Sequence, residues 1–402
     1  MAVECSVKPR TMRLHRRRRT GIAGLTLAIS VFSLTRAGLC AGSADPLQLA
    51  LPPVCHAVVG MPMSIYKDNI ILTEHPEACR WEIACDVGTK EPHRWTVTPR
   101  PGDVGDHELG ITIRGGAGDT ATGKIVLRVV RADAGKEQSL RLLIIGDSLT
   151  AATTYPNELA RLLSHAGNPR WTMLGTHRPA RASAGVAHEG YGGWTWASFV
   201  SRYDPKLGHR LDDSGKRHSS PFVYPSESGG PALDIGRYID ENCEGRAPDV
   251  ALILLGINDC FSANPDEARA VDERIDAMFG QADTFLRSFR RAAPRTVFGI
   301  GLTTPPNSRE SGFEANYKGK YHRWGWKRIQ HQIVRRMLDR FDRRQSEGIH
   351  LVPTELSVDP VDGYPEDNGV HPKAVGYNQI AASFYCWLKW WMQDGAPPPS
   401  KP

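Results

Sequence analysis

The segment LRLLIIGDSLT, residues 140–150, decides how most of this chain folds. Its first six residues form an apolar run of the length expected for a buried strand, and a turn and the start of a helix follow. Ser148 therefore lies where a strand passes into a helix, a place that exposes a serine hydroxyl and points backbone N–H groups at whatever it attacks. The segment alone also fits an ordinary strand-to-helix turn in which Asp147 or Ser148 caps the helix.

From residue 140 to near the end of the chain, apolar runs alternate with segments that have helical periodicity. Continuous apolar strands separated by helices predict a three-layer α/β/α domain with a parallel, flavodoxin-like sheet covered on both faces. Functional sites in such folds form at the carboxyl ends of the strands. The predicted strands are 140–145, 171–174, 250–255, 297–302 and 349–352, and the clearest predicted helices are 157–165, 270–290 and 327–344.

Residues 45–134 follow a different pattern, which fits the expectation of two domains in 402 residues. Short runs with period-two alternation are separated by turn clusters, and they predict a small antiparallel, immunoglobulin-like sandwich. This predicted domain could either bind glycan or serve as a spacer, and we favour the spacer role. A polar linker, 132–138, leads into the second domain, 135–394. The predicted strands are 70–73, 80–85, 94–98, 108–114 and 124–130.

The first 44 residues are interpreted as a secretory signal peptide. Basic residues precede an apolar stretch of about 15 residues, which is shorter than the roughly 20 residues that a spanning helix needs, and small residues follow it. A membrane anchor is the alternative, and a lipidated Cys40 is disfavoured by the bulky Leu39. We expect cleavage near Asp45, a secreted or periplasmic protein, and no membrane span after signal removal. The Pro-rich tail, 395–402, is predicted to be disordered.

The formal charge gives no support for nucleic-acid binding. Residues 1–44 contain eight basic residues and one acid, so the charge falls from +6 for the whole chain to −1 once they are removed. The remainder has no basic stripe with interleaved aromatic residues. Six cysteines remain, which fits either disulfides in an exported protein or free buried thiols, and their spacing resembles no zinc site.

Four sequence blocks fall at the predicted ends of strands, and parallel strands would bring them to one edge of the sheet. Their order and composition resemble the SGNH hydrolases, also called GDSL esterases/lipases. The resemblance covers about residues 140–392. Each block is weak evidence alone, but all four are present in the expected order. The blocks are GDSLT (146–150), EGYGGWT (189–195), GIND (256–259) and NGVHP (368–372).

The resemblance implies a serine hydrolase that needs no metal or cofactor. Ser148 would be the nucleophile, and His371 would be the general base that takes its proton. An oxyanion hole would form from the backbone N–H groups of Ser148 and Gly193 and from the side-chain amide of Asn258. Gly192 is the alternative to Gly193, because the block contains two adjacent glycines.

One position departs from the family pattern. The aspartate that usually lies three residues before the histidine is replaced by Asn368, and Asp367 is its neighbour. Asn368 could orient His371 through its amide oxygen, as asparagine does in papain-like proteases. Alternatively, Asp367 or a backbone carbonyl could do so. The departure also leaves open a catalytically weak relative that kept the fold and binds glycan.

The substrate is predicted from what surrounds the blocks. Trp194, beside the oxyanion glycine, is interpreted as a platform for a sugar ring, although core packing is open for it and for Trp196, Trp324 and Trp326. The insert 203–231 is polar and lacks the apolar lid expected over an acyl chain. Export and an accessory domain suit an extracellular polymer. These features favour an O-acetylesterase acting on acetylated polysaccharide over a lipase or lysophospholipase.

Overall fold

The computed structural model describes residues 47–116, 118–226 and 229–393. The predicted signal peptide and the predicted disordered tail lie outside these ranges, so export stays a prediction of the sequence. Within these ranges, no helix combines the length and the apolar character that crossing a membrane would require.

The N-terminal part contains three small sheets, as predicted for an all-β region. One sheet has the order β2-β9-β8-β5, the second has the order β3-β7-β6, and the third pairs β1 with β4. Neighbouring strands in them are antiparallel except β2 and β9, which run parallel and have the second sheet between them in the chain. Of the predicted strand 70–73, Ile70 ends one helical turn, and Ile71 and Leu72 form the short strand β4. The elements are β1 Gln48–Leu49, β2 Val54–Val58, β3 Met63–Tyr66, α1 Lys67–Ile70, β4 Ile71–Leu72, β5 Arg80–Ala84, β6 Thr89–Lys90, β7 Arg94–Val97, β8 Gly105–Arg114 and β9 Thr120–Val130.

The second part is built on a parallel sheet with the order β11-β10-β15-β16-β17, and short β12 pairs with the end of β10. Counting along the chain, this is the flavodoxin-like order 2-1-3-4-5, so the predicted fold class is confirmed. The central strands β15 and β16 are buried on both faces, since every one of their residues is buried. The strands are β10 Ser139–Gly146, β11 Arg170–Leu174, β12 Glu189–Gly190, β13 Val223–Pro225, β14 Pro231–Leu233, β15 Val250–Leu254, β16 Val297–Gly301 and β17 Ile349–Val352.

Helices form the two outer layers of this part. Helix α11 packs against α3, whereas α7 contacts α4, α5 and α9. Three of the helices are single turns that begin directly after strands. The helices are α2 Ser148–Ala151, α3 Thr154–Leu163, α4 Trp196–Ser201, α5 Ile235–Asn242, α6 Ile257–Cys260, α7 Ala268–Ala292, α8 Glu310–Tyr317, α9 Arg323–Phe341, α10 Thr354–Ser357 and α11 Ala374–Gln393.

The two parts are packed into one compact unit. The change from mainly antiparallel to parallel pairing falls between β9 and β10, at the predicted linker. Buried Asn69 of the N-terminal part donates its side-chain amide to the backbone oxygens of Glu355, at 2.7 Å, and Val358, at 2.8 Å. Leu356, from α10, is fully buried within the hydrophobic cluster of the N-terminal sheets. The junction therefore has a continuous core and shared hydrogen bonds.

The six cysteines between residues 47 and 393 are unpaired. Cys79 and Cys85, whose spacing would allow a local bridge, do not form one. Burial raises the pKa of Cys243, Cys260 and Cys386 to about 12, which keeps these thiols protonated at neutral pH.

Candidate active site

Ser148 is the first residue of α2, directly beyond the end of β10. Asp147 caps this turn, since its Oδ1 accepts the backbone N–H of Leu149 at 2.9 Å. Gly146 is required by close packing: a Cβ there would lie 1.9 Å from Thr150 Oγ1 and 2.8 Å from the backbone oxygen of Leu254. Burial raises the pKa of Asp147 to about 7. The local sequence thus fixes the serine at the carboxyl edge of the sheet.

His371 lies against Ser148, with 2.9 Å between its Nε2 and the serine Oγ. Its Nδ1 is 3.2 Å from Oδ1 of Asn368. The same Oδ1 accepts the backbone N–H groups of Val370, at 3.1 Å, and His371, at 2.9 Å. Two backbone donors fix the amide oxygen toward the ring, so Nδ1 carries the proton and Nε2 is left to accept from the serine.

Asn368, rather than Asp367, is the residue that contacts the histidine ring. Asp367 is exposed to solvent. The arrangement therefore has no counter-charge on Nδ1 of His371. Burial lowers the pKa of His371 below its ordinary value, because the charged imidazolium is poorly solvated there.

The turn that contains Gly192 and Gly193 lies beside the serine loop. It is held there because the backbone N–H of Tyr191 donates to the oxygen of Gly146 at 3.1 Å. Gly193 has a φ of +76°, a conformation that favours glycine, and both glycines are exposed. Their backbone groups are consequently open to a ligand at the edge of the sheet.

Asn258 joins this turn to the serine loop. Its Nδ2 donates to the backbone oxygen of Trp194 at 3.0 Å and lies 3.4 Å from Oδ2 of Asp147. The neighbouring Asp259, whose pKa burial raises to about 7, accepts the backbone N–H of Trp196 at 3.2 Å. The structure thus brings the predicted residues of all four blocks together at one edge of the sheet.

The prediction that Trp194 forms a platform for substrate is wrong. Its side chain is only 1% exposed. It packs against Tyr191 and Phe199, with ring centroids 4.4 and 5.0 Å away, and the guanidinium of Arg202 covers it. Trp196 and Trp326 are buried as well. Proximity to the glycine turn in sequence did not reveal that the indole points into the core.

Glu189 supports the glycine turn and was not assigned a role from the sequence. Its carboxylate is fully buried and accepts four hydrogen bonds. The donors are the backbone N–H of Thr176 at 2.7 Å, the Thr176 hydroxyl at 2.9 Å, the Tyr238 hydroxyl at 2.8 Å and the Tyr191 hydroxyl. These bonds fix β12, which ends two residues before Gly192.

Asn307 plays the corresponding part under the histidine loop and was also missed. It is fully buried, and its side-chain amide donates to the backbone oxygens of Pro365, at 2.8 Å, and Asn368, at 3.0 Å. Its own backbone N–H donates to Gly369 at 2.9 Å. Three bonds from one residue therefore hold the segment that carries Asn368 and His371.

The four sequence blocks thus meet at one edge of the sheet, in the chain order noted in the sequence. Among the side chains that the structure describes, no group of three or more His, Cys, Asp or Glu residues could hold a metal ion. Neither a protein-family model nor a curated protein matches this chain.

Solved structures that resemble the chain are distant from it in sequence. A carbohydrate esterase family 3 structure from Talaromyces cellulolyticus is 16% identical, covers 63% of this chain and 99% of its own, and has a TM-score of 0.38. A mutant acetyl esterase with an acetate ion is 15% identical over 64% of this chain and 99% of its own, with a TM-score of 0.39. The native M. smegmatis aryl esterase is 14% identical, covers 62% and 99%, and has a TM-score of 0.34.

Replacing Asn307 tests the support of the histidine loop. Asn307→Ala leaves two partly buried carbonyls, those of Pro365 and Asn368, without their donor, and an unpaired buried group costs about 1–3 kcal/mol. We expect the free energy of unfolding in urea to fall by about 2–4 kcal/mol. Asn157→Ala is the matched control, because its amide donates to Arg181 near solvent and water can replace it. Equal losses for the two variants would contradict the assigned role of Asn307.

Proposed function

We propose that this chain is an SGNH-type serine esterase that hydrolyses carboxylic esters through Ser148. The observation that carries the proposal is the 2.9 Å contact between Ser148 Oγ and His371 Nε2, with the opposite ring nitrogen on Asn368. A serine is a weak nucleophile unless a neighbouring base takes its proton. The fixed tautomer of His371 places an unprotonated nitrogen where this transfer would occur.

The reaction proceeds in two matched halves. Ser148 Oγ bonds to the ester carbonyl carbon while its proton moves to Nε2 of His371. The tetrahedral intermediate then releases the alcohol, which takes the proton from His371 and leaves an acyl group on Ser148. Water repeats the sequence: its proton goes to His371, its oxygen bonds to the acyl carbon, and the carboxylic acid leaves as Ser148 regains the proton.

Negative charge on the carbonyl oxygen would be met by three donors. The N–H of Ser148 is at the start of α2, and that of Gly193 is in the exposed turn. Asn258 Nδ2 uses one hydrogen in its bond to Trp194, and its contact with Asp147, at 3.4 Å, is long for a hydrogen bond. The second amide hydrogen is therefore the one assigned to the oxyanion.

O-acetyl groups of polysaccharide are the substrate class we favour. Large apolar side chains are exposed at only four scattered positions in the parts of the chain that the structure describes, and all four are Val or Leu. An acyl-chain substrate would require a continuous apolar surface. Export, as predicted from residues 1–44, would place the enzyme among extracellular polymers. Acetate release from a panel of acetylated polysaccharides tests this choice, and preferential release of long-chain acids from lipids would overturn it.

Removing the nucleophile is the direct test of the reaction. Ser148→Ala should reduce hydrolysis of a chromogenic acetate ester to near background, because no other group would accept the acyl chain. Its melting temperature should stay close to that of the parent, since the hydroxyl has no structural partner besides His371 among the described residues. Undiminished turnover by this variant would exclude Ser148, and a parent protein without turnover would favour the glycan-binding alternative.

The second prediction concerns Asn258. Asn258→Ala should lower kcat about 10²–10³-fold, because a donor present mainly in the transition state is lost. KM should change less. An effect confined to KM would instead assign Asn258 to substrate binding or to holding the turn at Trp194.

The residue that orients His371 can be identified with a set of three variants. Asn368→Ala should lower kcat, because the ring and two backbone N–H groups lose their acceptor, and Asn368→Asp should retain or raise it by adding a counter-charge to the imidazolium. Asp367→Ala serves as the matched control and should be mild, because that side chain is exposed. A larger loss in Asp367→Ala than in Asn368→Ala would reverse the assignment.

The pH dependence follows from the burial of His371. The base works only when neutral, so kcat/KM should fall as the pH drops through the pKa of the free enzyme. Since burial lowers this pKa, the midpoint of the acid limb should lie below the ordinary value of 6.5. A midpoint above 6.5 in kcat/KM for the chromogenic ester would contradict the electrostatics described for this site.

A further inference from the structure

Two segments of the candidate active site need a fixed mutual position if both are to act on one ester. They are the serine loop, residues 146–153, which contains Ser148, and the glycine turn, residues 190–193, whose two central glycines are exposed. The backbone N–H of Tyr191 joins them at one end by its 3.1 Å bond to Gly146. Because a hydrogen bond tolerates a range of angles, this bond alone would let the turn rotate. A second attachment is needed to fix its orientation.

His188 provides the second attachment. Its side chain is fully buried, and its Nδ1 accepts the backbone N–H of Gly190 at 3.1 Å. Since Nδ1 is an acceptor, the neutral ring carries its proton on Nε2. Nε2 lies 3.1 Å from Oγ1 of Thr153 and donates to it, and this hydroxyl donates to the backbone oxygen of Ala151 at 3.1 Å. A continuous chain of hydrogen bonds therefore runs from the glycine turn into the serine loop.

Thr153 has a backbone conformation that is unfavourable for its residue type. Its φ is +66°, in the left-handed region that β-branched residues rarely occupy. It also directly precedes α3, where threonine commonly caps a helix through its side chain. Among the residues that the structure describes, its hydroxyl makes no such cap and bonds to His188 instead. Strained residues of this kind concentrate at functional sites, so the bond to His188 is the feature of Thr153 to explain.

Close packing keeps the two attached segments in contact. A Cβ at Gly190 would lie 2.6 Å from Cβ of Thr150, which is in the serine loop. The ring of His177 stacks on His188 with centroids 4.9 Å apart, and the backbones of these two residues exchange hydrogen bonds of 3.1 and 3.2 Å. Because burial lowers the pKa of His188 to about 3, its ring is neutral at physiological pH and its Nδ1 remains an acceptor.

We propose that His188 is a positioning residue that holds the glycine turn in place relative to Ser148. Its effect on turnover rests on the proposed function, in which the turn donates to the oxyanion, whereas the bridge from Gly190 to Thr153 does not. Displacing a catalytic group by about 1 Å can lower a rate about 10²-fold. Since the oxyanion forms only during the reaction, loss of the bridge should lower kcat and leave KM nearly unchanged.

Variants of Thr153 separate positioning from folding. Thr153→Gly removes the hydroxyl but adopts the positive φ without strain, so the fold should persist. Its kcat for a chromogenic acetate ester should fall about 10–100-fold while KM stays close to that of the parent. Thr153→Ser keeps the hydroxyl and should retain most of the parent kcat. His188→Phe should lower kcat at least as far, but it leaves the N–H of Gly190 unpaired, so Thr153→Gly is the deciding variant.

Glu244→Gly is the matched control for the change to glycine. Glu244 also has a positive φ, of +58°, and it is exposed. Its carboxylate lies 3.8 Å from the guanidinium of Arg141, near the start of β10 and thus at the opposite end of that strand from Ser148. This variant should keep the kcat and KM of the parent.

Two NMR measurements report on the bridge without turnover. In protein with ¹⁵N-labelled histidine, His188 should show the signals of a neutral ring protonated on Nε2, the opposite tautomer from that of His371. The backbone amide signals of Gly192 and Gly193 should move in Thr153→Gly and stay near their parent positions in Thr153→Ser. A proton on Nδ1 of His188, or unmoved glycine signals in Thr153→Gly, would overturn the proposal.

Turnover decides the rest. An undiminished kcat in Thr153→Gly, or an equal loss in Thr153→Ser or in the Glu244→Gly control, would overturn the role of His188 while the proposed function stands. If the parent protein hydrolyses no ester, the proposed function fails. The bridge is then supported or overturned by the tautomer of His188 and by the glycine signals.

Discussion

The placement of β10 between two parallel neighbours is the constraint on which the site depends. Its pairing with β15 runs from Leu142 to Gly146, so both strands end at the same level. At that level Gly146 leaves no room for a side chain, and its backbone oxygen holds Tyr191. A shift of one residue in this register would turn buried side chains toward the opposite face and move the serine out of line with its partners.

The absence of charge next to His371 gives the site its chemical character. An aspartate would raise the basicity of the ring and stabilise its charged form, whereas the amide of Asn368 supplies geometry alone. Burial then acts on the ring without opposition. The nearby Asp147 and Asp259 do not compensate, because each is committed to a backbone N–H and burial favours its protonated form. The neutral amide of Asn368 thus positions the ring of His371 but supplies no charge that would stabilise an imidazolium.

The sheet could be predicted from the sequence because its strands are continuous apolar runs. The predicted strand 349–352 coincides with β17, and the predicted strand 250–255 is one residue longer than β15. The four sequence blocks could be placed together because parallel strands end at one edge of the sheet. Alternating patterns in the N-terminal part indicated strands, but they did not reveal that β2 pairs in parallel with β9.

The supporting residues could not be predicted, since their partners are remote in sequence. Asn307 and Asn368 are 61 positions apart, and Glu189 and Tyr238 are 49 apart. No local sequence pattern predicts a buried polar side chain whose hydrogen-bond partner is a backbone oxygen or hydroxyl far away in the chain. The prediction for Trp194 was wrong for a related reason. The direction of its indole is set by packing against Tyr191 and Phe199, which the local sequence pattern does not reveal.

The insertion of Leu356 into the N-terminal core has a consequence for how this protein can be inherited or re-engineered. If the second part were separated from the first at the linker, Leu356 would be exposed and the backbone oxygens of Glu355 and Val358 would lose their donor, Asn69. The N-terminal sheets therefore cannot be replaced by another domain without disrupting the core that they share with α10. Recombination that exchanged them would have to carry α10 along, so the two halves are constrained to descend together.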